Sequence, residues 1–479
     1  MAFTVSPGIV TREIDLTAIV PEVGSTTGGF VGSFEWGPCN DVTLISSEDE
    51  LVSIFQEPKS NTYNSFFTAA NFLQYGNALN VVRIANSTAK NATDDAANAV
   101  FIANNTDYYE TYDATLGGTA SNDFGTWVAK YPGDLGNSLK VSVCGADKPS
   151  ATLTGTVAIG AGSSEEHTVT GTATSFDTEV GVGDVLQINS NNFMVTAVTN
   201  STQITVKGNG GAAQDAGNTI VRLTRSAFKT DVTIGTVTVA AGNTAVAGTN
   251  TLFTKQVNVG DIITFAGGEQ AIVNSITSNT ALVLRTAVAN AVTAGTFTRE
   301  WEYTGSVDTA PTTSTYGTLK GVTQDEVHVV VVDEDGLWTG TKGRVLESHP
   351  NLSVAPNAKR DDGTMLFYKD HVNRNSNYIY WMKHSGSGAR DTSLNTLAWG
   401  AVANTAVATK YQANAIILTT SLSKGVDGNV LSDANLTTGY DLFKDEEGIV
   451  DVSVIPTGNA SATVIKHVIQ SIAEVRKDC

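Results

Sequence analysis

Two stretches of this chain are copies of one another. GTATSFDTEVGVGDVLQI (residues 171–188) aligns with GTNTLFTKQVNVGDIITF (248–265). The likeness continues from AVTNSTQITV into SITSNTALVL, and a GTV precedes each copy at Gly155 and Gly235. An internal repeat constrains a fold strongly, because one small unit must form the same way twice. Both copies alternate Val, Thr, Ile and Gly between turn residues, which is strand texture without a convincing helical period. Phe176 and Phe253 hold the same place in the two copies and are the expected core anchors, while Gly183-Asp184 and Gly260-Asp261 are expected turns, each feeding a new strand. The sequence predicts tandem all-β domains at residues 151–228 and 229–299, with GNGGAAQDAG (208–217) as a mobile loop.

The flanks have a different texture. GGFVGSFEWGP (28–38) reads as a buried strand carrying Phe30, Val31 and Phe34, and Gly-Pro ends it. Ser47 and Glu50 have the spacing of a capping box for a short helix that buries Leu51, Ile54 and Phe55. A second helix places Phe66, Ala69, Ala70 and Leu73 at helical spacing and takes Gly76 as its C-cap. ALNVVRI (78–84) is the next strand. After residue 300 come strands in EVHVVVVDEDG, NYIYWM (377–382), NAIILT (414–419) and GIVDVSVIP (448–456). A helix over 459–475 then buries Val464, Ile465, Val468, Ile469 and Ile472. The expected fold is an α/β (α+β) core, its first part at 23–150 and its second at 300–479, interrupted by the tandem all-β insertion domains. A further strand is due after the final helix, so the core is expected to be truncated at its C-terminus.

The N-terminal segment, residues 1–22, reads as an extended arm. In SPGIVTREIDLT, Val10, Arg12, Ile14 and Leu16 fall on one face of an extended chain, and Thr11, Glu13 and Asp15 on the other. Residues 17–27 contain no tight hairpin signal, so a strand from Ile9 to Leu16 cannot fold back on the residues after it. Its partner lies far along this chain or in another chain.

Composition removes several classes of function. The chain has 479 residues, long enough for about three domains. Its 48 acidic residues against 29 basic ones give a formal charge of −19, and a phosphate backbone requires a basic footprint, so no direct nucleic-acid partner is expected. There is neither a signal sequence nor a run of ~20 apolar residues, which points to synthesis in the cytoplasm without membrane insertion. Cys39, Cys144 and Cys479 are read as free thiols. The histidines at 167, 328, 349, 371, 384 and 467 lack metal spacing, and structural roles are expected for His328 and His467. Asp333-Glu334-Asp335-Gly336 resembles the start of a calcium loop but lacks the later carboxylates. His384-Ser385-Gly386-Ser387-Gly388 is not a nucleophile elbow, and neither phosphate-binding glycine pattern occurs. No catalytic, cofactor-binding or metal residue is assigned, and the expected activity is structural.

In order along the chain, SPGIVTREIDLT, FEWGP, NFLQYGNALNVVRI, YPGDLGNSLKVSV, VVDEDGLWTGTKGRVLES, NYIYWM and IKHVIQSIAEVRKDC resemble the contractile tail sheath protein of long-tailed (myovirus-type) bacteriophages. The resemblance implies a virion subunit, made in the host cytoplasm, that polymerises with copies of itself around a tail tube protein. Such a subunit meets baseplate and tail terminator proteins, and contracts to drive the tube through the host envelope. In that family terminal arms add strands to a neighbour's sheet, which would place Ile9, Val10, Arg12, Ile14 and Leu16 at a contact between subunits. Close alternatives are a sheath subunit of a bacterial contractile injection system, of type VI secretion or tailocin kind, and more distantly a β-rich surface adhesin. An α/β hydrolase would rest on fold analogy alone.

Overall fold

The computed structural model describes residues 26–94, 99–113, 124–160, 166–208, 214–230, 233–320, 323–355, 358–383, 417–428, 430–444, 450–476 and 479. They gather into two compact units, one drawn from 1–86 with 429–479 and the other from 87–428. Helices and several sheets are mixed throughout.

In the first unit, strand Gly28–Gly32 runs parallel to Leu79–Arg83, with Phe30 opposite Val81, and Val42–Ile45 pairs antiparallel on the other side of that central strand. Every residue of the two parallel strands is buried, as a sheet covered on both faces requires. The two-residue period sorts the side chains. Phe30, Leu79 and Val81 pack with Leu51 and Phe55 of helix Glu48–Phe55 and with Phe66, Ala69 and Ala70 of helix Tyr63–Leu73. Val31 and Val82 face the opposite way, into a core with Tyr440, Phe443, Val452, Val464, Val468 and Ile472. Arg83, itself buried, donates to the carbonyls of Phe34 and Gly37 at 2.9 and 2.8 Å, and this holds 33–38 as a bent segment rather than a continuation of the first strand.

Several local expectations need correction here. Ser47 does accept the Glu50 N–H at 3.2 Å, but the Glu50 carboxylate turns to the N–H and hydroxyl of Ser46 at 2.8 and 2.6 Å, so the reciprocal half of the capping box is displaced by one residue. Gly76 donates to Phe72 O at 2.9 Å without entering the left-handed region; the helix ends in right-handed turns through Gln74. Ile54 and Leu73 are only half-buried. Residues 450–456 form no strand: they meet Gly28 in a single parallel bridge at Val454. The last helical stretch runs from Ala462 through a π-helical segment at Val468–Ala473. It buries Val464, Val468 and Ile472, while Ile465 and Ile469 are 37% and 50% exposed, because each lies one residue, ~100° of rotation, away from that stripe.

The second unit contains a four-stranded antiparallel sheet in the order Arg344–Ser353, Glu326–Asp333, Leu139–Gly145, Ile417–Ser421. All eight residues of Glu326–Asp333 are buried. A two-stranded pair, Trp127–Ala129 with Ile379–Trp381, packs with helix Tyr368–Asn375, and Tyr380 stacks on Tyr108 at 4.1 Å.

Residues 151–222 and 229–300 form two eight-stranded sheets. The first runs Gln214–Asn218, Thr156–Ile159, Glu166–Thr172, Gln203–Gly208, Asn191–Asn200, Val185–Ile188, Ile220–Arg222, Ala151–Thr152. The second runs Val292–Gly295, Thr236–Val239, Ala245–Thr249, Ala281–Leu284, Gln270–Ser278, Ile262–Phe265, Phe297–Glu300, Lys229–Thr230. Strand for strand the two orders are the same. Each sheet has its own apolar core, and a smaller cluster of Val185, Met194, Ile234 and Leu252 joins residues of both copies. Gln214–Asn218, which overlaps the end of the segment expected to be a loop, pairs with Thr156–Ile159. Four-residue helices at Phe176–Glu179 and Phe253–Gln256 are too short to show a period in the sequence.

Candidate functional site

The arm residues Ile9, Val10, Arg12, Ile14 and Leu16 lie outside the described residues. Phe176 and Phe253 are each fully buried, one in the core of each eight-stranded sheet, so neither offers a surface to a partner. What the first unit does offer is open backbone and apolar side chains. Among the described residues, strand Val42–Ile45 is hydrogen-bonded on one side only, by the central strand, and its Leu44 is 59% exposed. An edge of this kind presents unpaired N–H and C=O groups to any extended segment that reaches it. The other outer strand is already met at its start, where Gly29 N–H donates to Val454 O at 2.9 Å and Ser453 N–H to Thr27 O at 2.8 Å.

Helix Tyr63–Leu73 has a second face besides its buried one. Tyr63 and Phe67, four residues apart, are about half exposed, and Tyr75 beyond the helix end is 93% exposed. Ile465 and Ile469 make a similar pair on the last helical stretch. Apolar side chains at such spacing form stripes suited to contact with another surface rather than to chemistry. Among the described residues no helix is long and apolar enough to cross a membrane.

Several polar groups that could suggest chemistry are occupied by the fold. Asp333 is fully buried, and its carboxylate accepts the N–H groups of Gly336, Trp338 and Thr339 at 2.9 to 3.0 Å and the Ser138 hydroxyl at 2.6 Å. It shapes the turn that the sequence likens to a calcium loop. At His328, Nδ1 accepts the Asn351 N–H at 3.0 Å, which leaves the ring proton on Nε2 to donate to Thr309 O at 2.8 Å. Burial holds its pKa below the usual value, and the ring stacks on Trp301. His349 Nε2 meets Glu347 at 3.1 Å, His467 meets Asp441 at 2.9 Å, and His167 meets Gly160 O at 3.2 Å. His384 lies outside the described residues.

Sequence reasoning missed the ion pairs at the two Gly-Asp turns. Gly183 and Gly260 take φ of 90° and 93°, which glycine tolerates best. Asp184 then accepts Gly181 N–H at 2.9 Å and pairs with Lys148 at 2.6 Å and Arg225 at 3.7 Å. Asp261 accepts Asn258 N–H at 2.7 Å and lies 3.5 Å from Arg299. Burial pushes the Asp261 carboxyl up to about 6 against the opposing pull of Arg299. The signal that could have found these pairs is basic residues just outside or at the ends of Val/Thr-rich strands in a chain only 16% charged.

Residues 25–84, the segment of the three-stranded sheet and its two helices, match the family described as tail sheath protein Gp18 domain III N-terminal region. The chain is 47% identical over 89 residues to the tail sheath protein of Vibrio phage KVP40, covering 18% of this chain and 13% of that protein. It is 25% identical over 388 residues to the tail sheath protein of Salmonella phage ViI, covering 79% of this chain and 49% of that one. To the tail sheath protein of Enterobacteria phage T4 it is 39% identical over 94 residues, 19% of this chain and 14% of that one. The chain thus spans half the length, or less, of these curated relatives. Similarity to phage tail sheath proteins, which the order of short motifs suggested, is shown by these matches.

Proposed function

We propose that this chain is a structural, non-enzymatic subunit of a phage contractile tail sheath, polymerising around the tail tube and contracting to drive it through the host envelope. The observation that carries the reading is the match over residues 25–84, because it falls on an α/β element with a sheet edge open among the described residues and an exposed aromatic helix face. Likeness to a tail sheath protein over 388 residues supports it. In this reading the subunit is made in the host cytoplasm and ends in the virion, where it meets further copies of itself, the tail tube protein, and the baseplate and terminator proteins. Residues 151–228 and 229–299 are all-β domains inserted into the core and carried on the outer surface; their separate apolar cores support reading them as distinct units. Residues 1–22 form the arm, and Ile9, Val10, Arg12, Ile14 and Leu16 pair with a neighbouring subunit's sheet. Main-chain pairing of that kind keeps two subunits joined while their bodies rotate.

Pelleting of polymer from the protein expressed from its complete reading frame tests this, with Ile14→Asp alongside. The wild type should sediment as polymer. Ile14→Asp should lose most of the pellet while keeping its thermal transition, since a carboxylate desolvated without a partner costs more than the roughly 1–3 kcal/mol of a neutral polar group at every contact. A wild type that stays in the supernatant at all concentrations would overturn the reading, and equal pellets would remove the arm from it.

A further inference from the structure

Residues of the two eight-stranded copies, with the connection between them, line a cavity of about 160 Å³. Three cations lie on its wall: Arg225 from the connection, Lys255 from the short helix of the second copy, and Arg299 from that copy's Phe297–Glu300 strand. Thr224, Thr230 and Asn258 add polar groups, and no carboxylate is among the lining residues. That is the reverse of the chain as a whole, with its 48 acidic and 29 basic residues.

Two of the acids that approach these cations are engaged more closely elsewhere, and a third, Asp147, interacts with Arg299 and with the lining Ser226. Asp184 is 3.7 Å from Arg225 but 2.6 Å from Lys148, and it also accepts the Gly181 N–H. Asp261 is 3.5 Å from Arg299 but accepts the Asn258 N–H at 2.7 Å. Arg299 is 5% exposed; its Nη groups donate to the carbonyls of Ala227 and Ser226 at 2.9 and 2.6 Å, and its Nε is buried without a hydrogen-bond partner. Lys255 is exposed and forms no ion pair among the described residues. The two guanidinium groups also repel one another, and Arg225 is held below the usual arginine range by burial first and by Arg299 among the charges around it. Positive charge gathered in this way, with donor capacity left over, calls for an anion.

We propose that this cavity binds one small tetrahedral oxyanion of the phosphate or sulfate type. The cavity is smaller than the about 300–1,000 Å³ of pockets for drug-sized molecules, which favours a small ion over a larger ligand. Cations on three separate segments suit a tetrahedral ion, which offers acceptors in several directions, better than a planar carboxylate. Because the donors come from the connection and from the second copy, the bound ion ties that copy to the segment that joins it to the first. The inference is independent of the sheath reading and stands or falls on binding alone.

Calorimetric titration of the full chain with inorganic phosphate, against sodium chloride at equal ionic strength, tests it. One saturable site per chain is expected, with affinity at least tenfold weaker in Lys255→Gln and in Arg225→Gln, and at least tenfold weaker for acetate than for phosphate. Arg225→Gln also removes a contact to Asp184 and can fail to fold; Lys255→Gln touches only an exposed side chain and supplies the reading on its own. No saturable phosphate binding by the wild type, or unchanged affinity in Lys255→Gln, would overturn the site. Equal affinity for acetate would overturn the tetrahedral class.

Discussion

At Asp261 two effects oppose each other. Burial favours the neutral acid and Arg299 favours the carboxylate; burial wins and raises the carboxyl from 3.8 to about 6. A group raised on folding contributes stability that is fully present below its unfolded pKa and is lost as pH rises through the folded one. The difference in unfolding free energy between wild type and Asp261→Asn should therefore shrink by about 2–3 kcal/mol between pH 4 and pH 7, measured by urea denaturation at each pH. A constant difference would mean that Arg299 fully compensates the burial. Asp333 gives a second test, since its carboxylate alone satisfies three backbone N–H groups of one turn. Asp333→Ala should cost about 2–4 kcal/mol, because removing one partner leaves buried donors unmade, and unchanged stability in calcium-free buffer would contradict that role. The turns themselves were legible as Gly-Asp pairs. Their cationic partners were not assigned: Lys148 lies 36 residues from Asp184, and Arg299 lies 38 from Asp261, so the sparse basic residues at strand ends mark candidate partners without saying which turn each one meets.

Among elements, the copies of the repeat can be compared position by position. Gly155 and Gly235 adopt φ of 81° and 78°, and a Cβ at either would lie 2.4 Å from a carbonyl oxygen, of Thr172 and Thr249 respectively. Gly242 has a similar φ of 75° but open space around it. Gly155→Ala and Gly235→Ala should each cost about 1–3 kcal/mol and more than Gly242→Ala, which bears the strain without the collision. Denaturant midpoints at unchanged slope would show this; three equal costs would contradict it. The same elements show what a sequence reveals of a fold. Helices around Leu51 and Phe66 were readable because their apolar spacing is tied to a buried face. Residues 448–456 misled for the opposite reason: Val450, Val452 and Val454 alternate as in a strand, yet only Val452 is buried in the core and only Val454 makes a bridge. Alternation alone does not make a strand, which also needs continuous backbone pairing, and here the pairing is confined to the one bridge between Gly28 and Val454.

For the whole molecule, the functional reading rests on the order of many short segments, none of them a signature by itself. Such order is legible because interfaces and cores constrain many positions weakly. The surfaces that would join one subunit to the next are less so: Tyr63, Phe67 and Leu44 look like ordinary core residues until the fold leaves them outside. The central claim is self-assembly into a sheath, and electron microscopy tests it most directly, on the protein expressed from its complete reading frame and concentrated stepwise. Hollow tubes or stacked rings of constant diameter are the expected result, with residues 151–299 forming the outermost density. Discrete, unassembled particles at every concentration, or a solid filament without a lumen, would contradict the account.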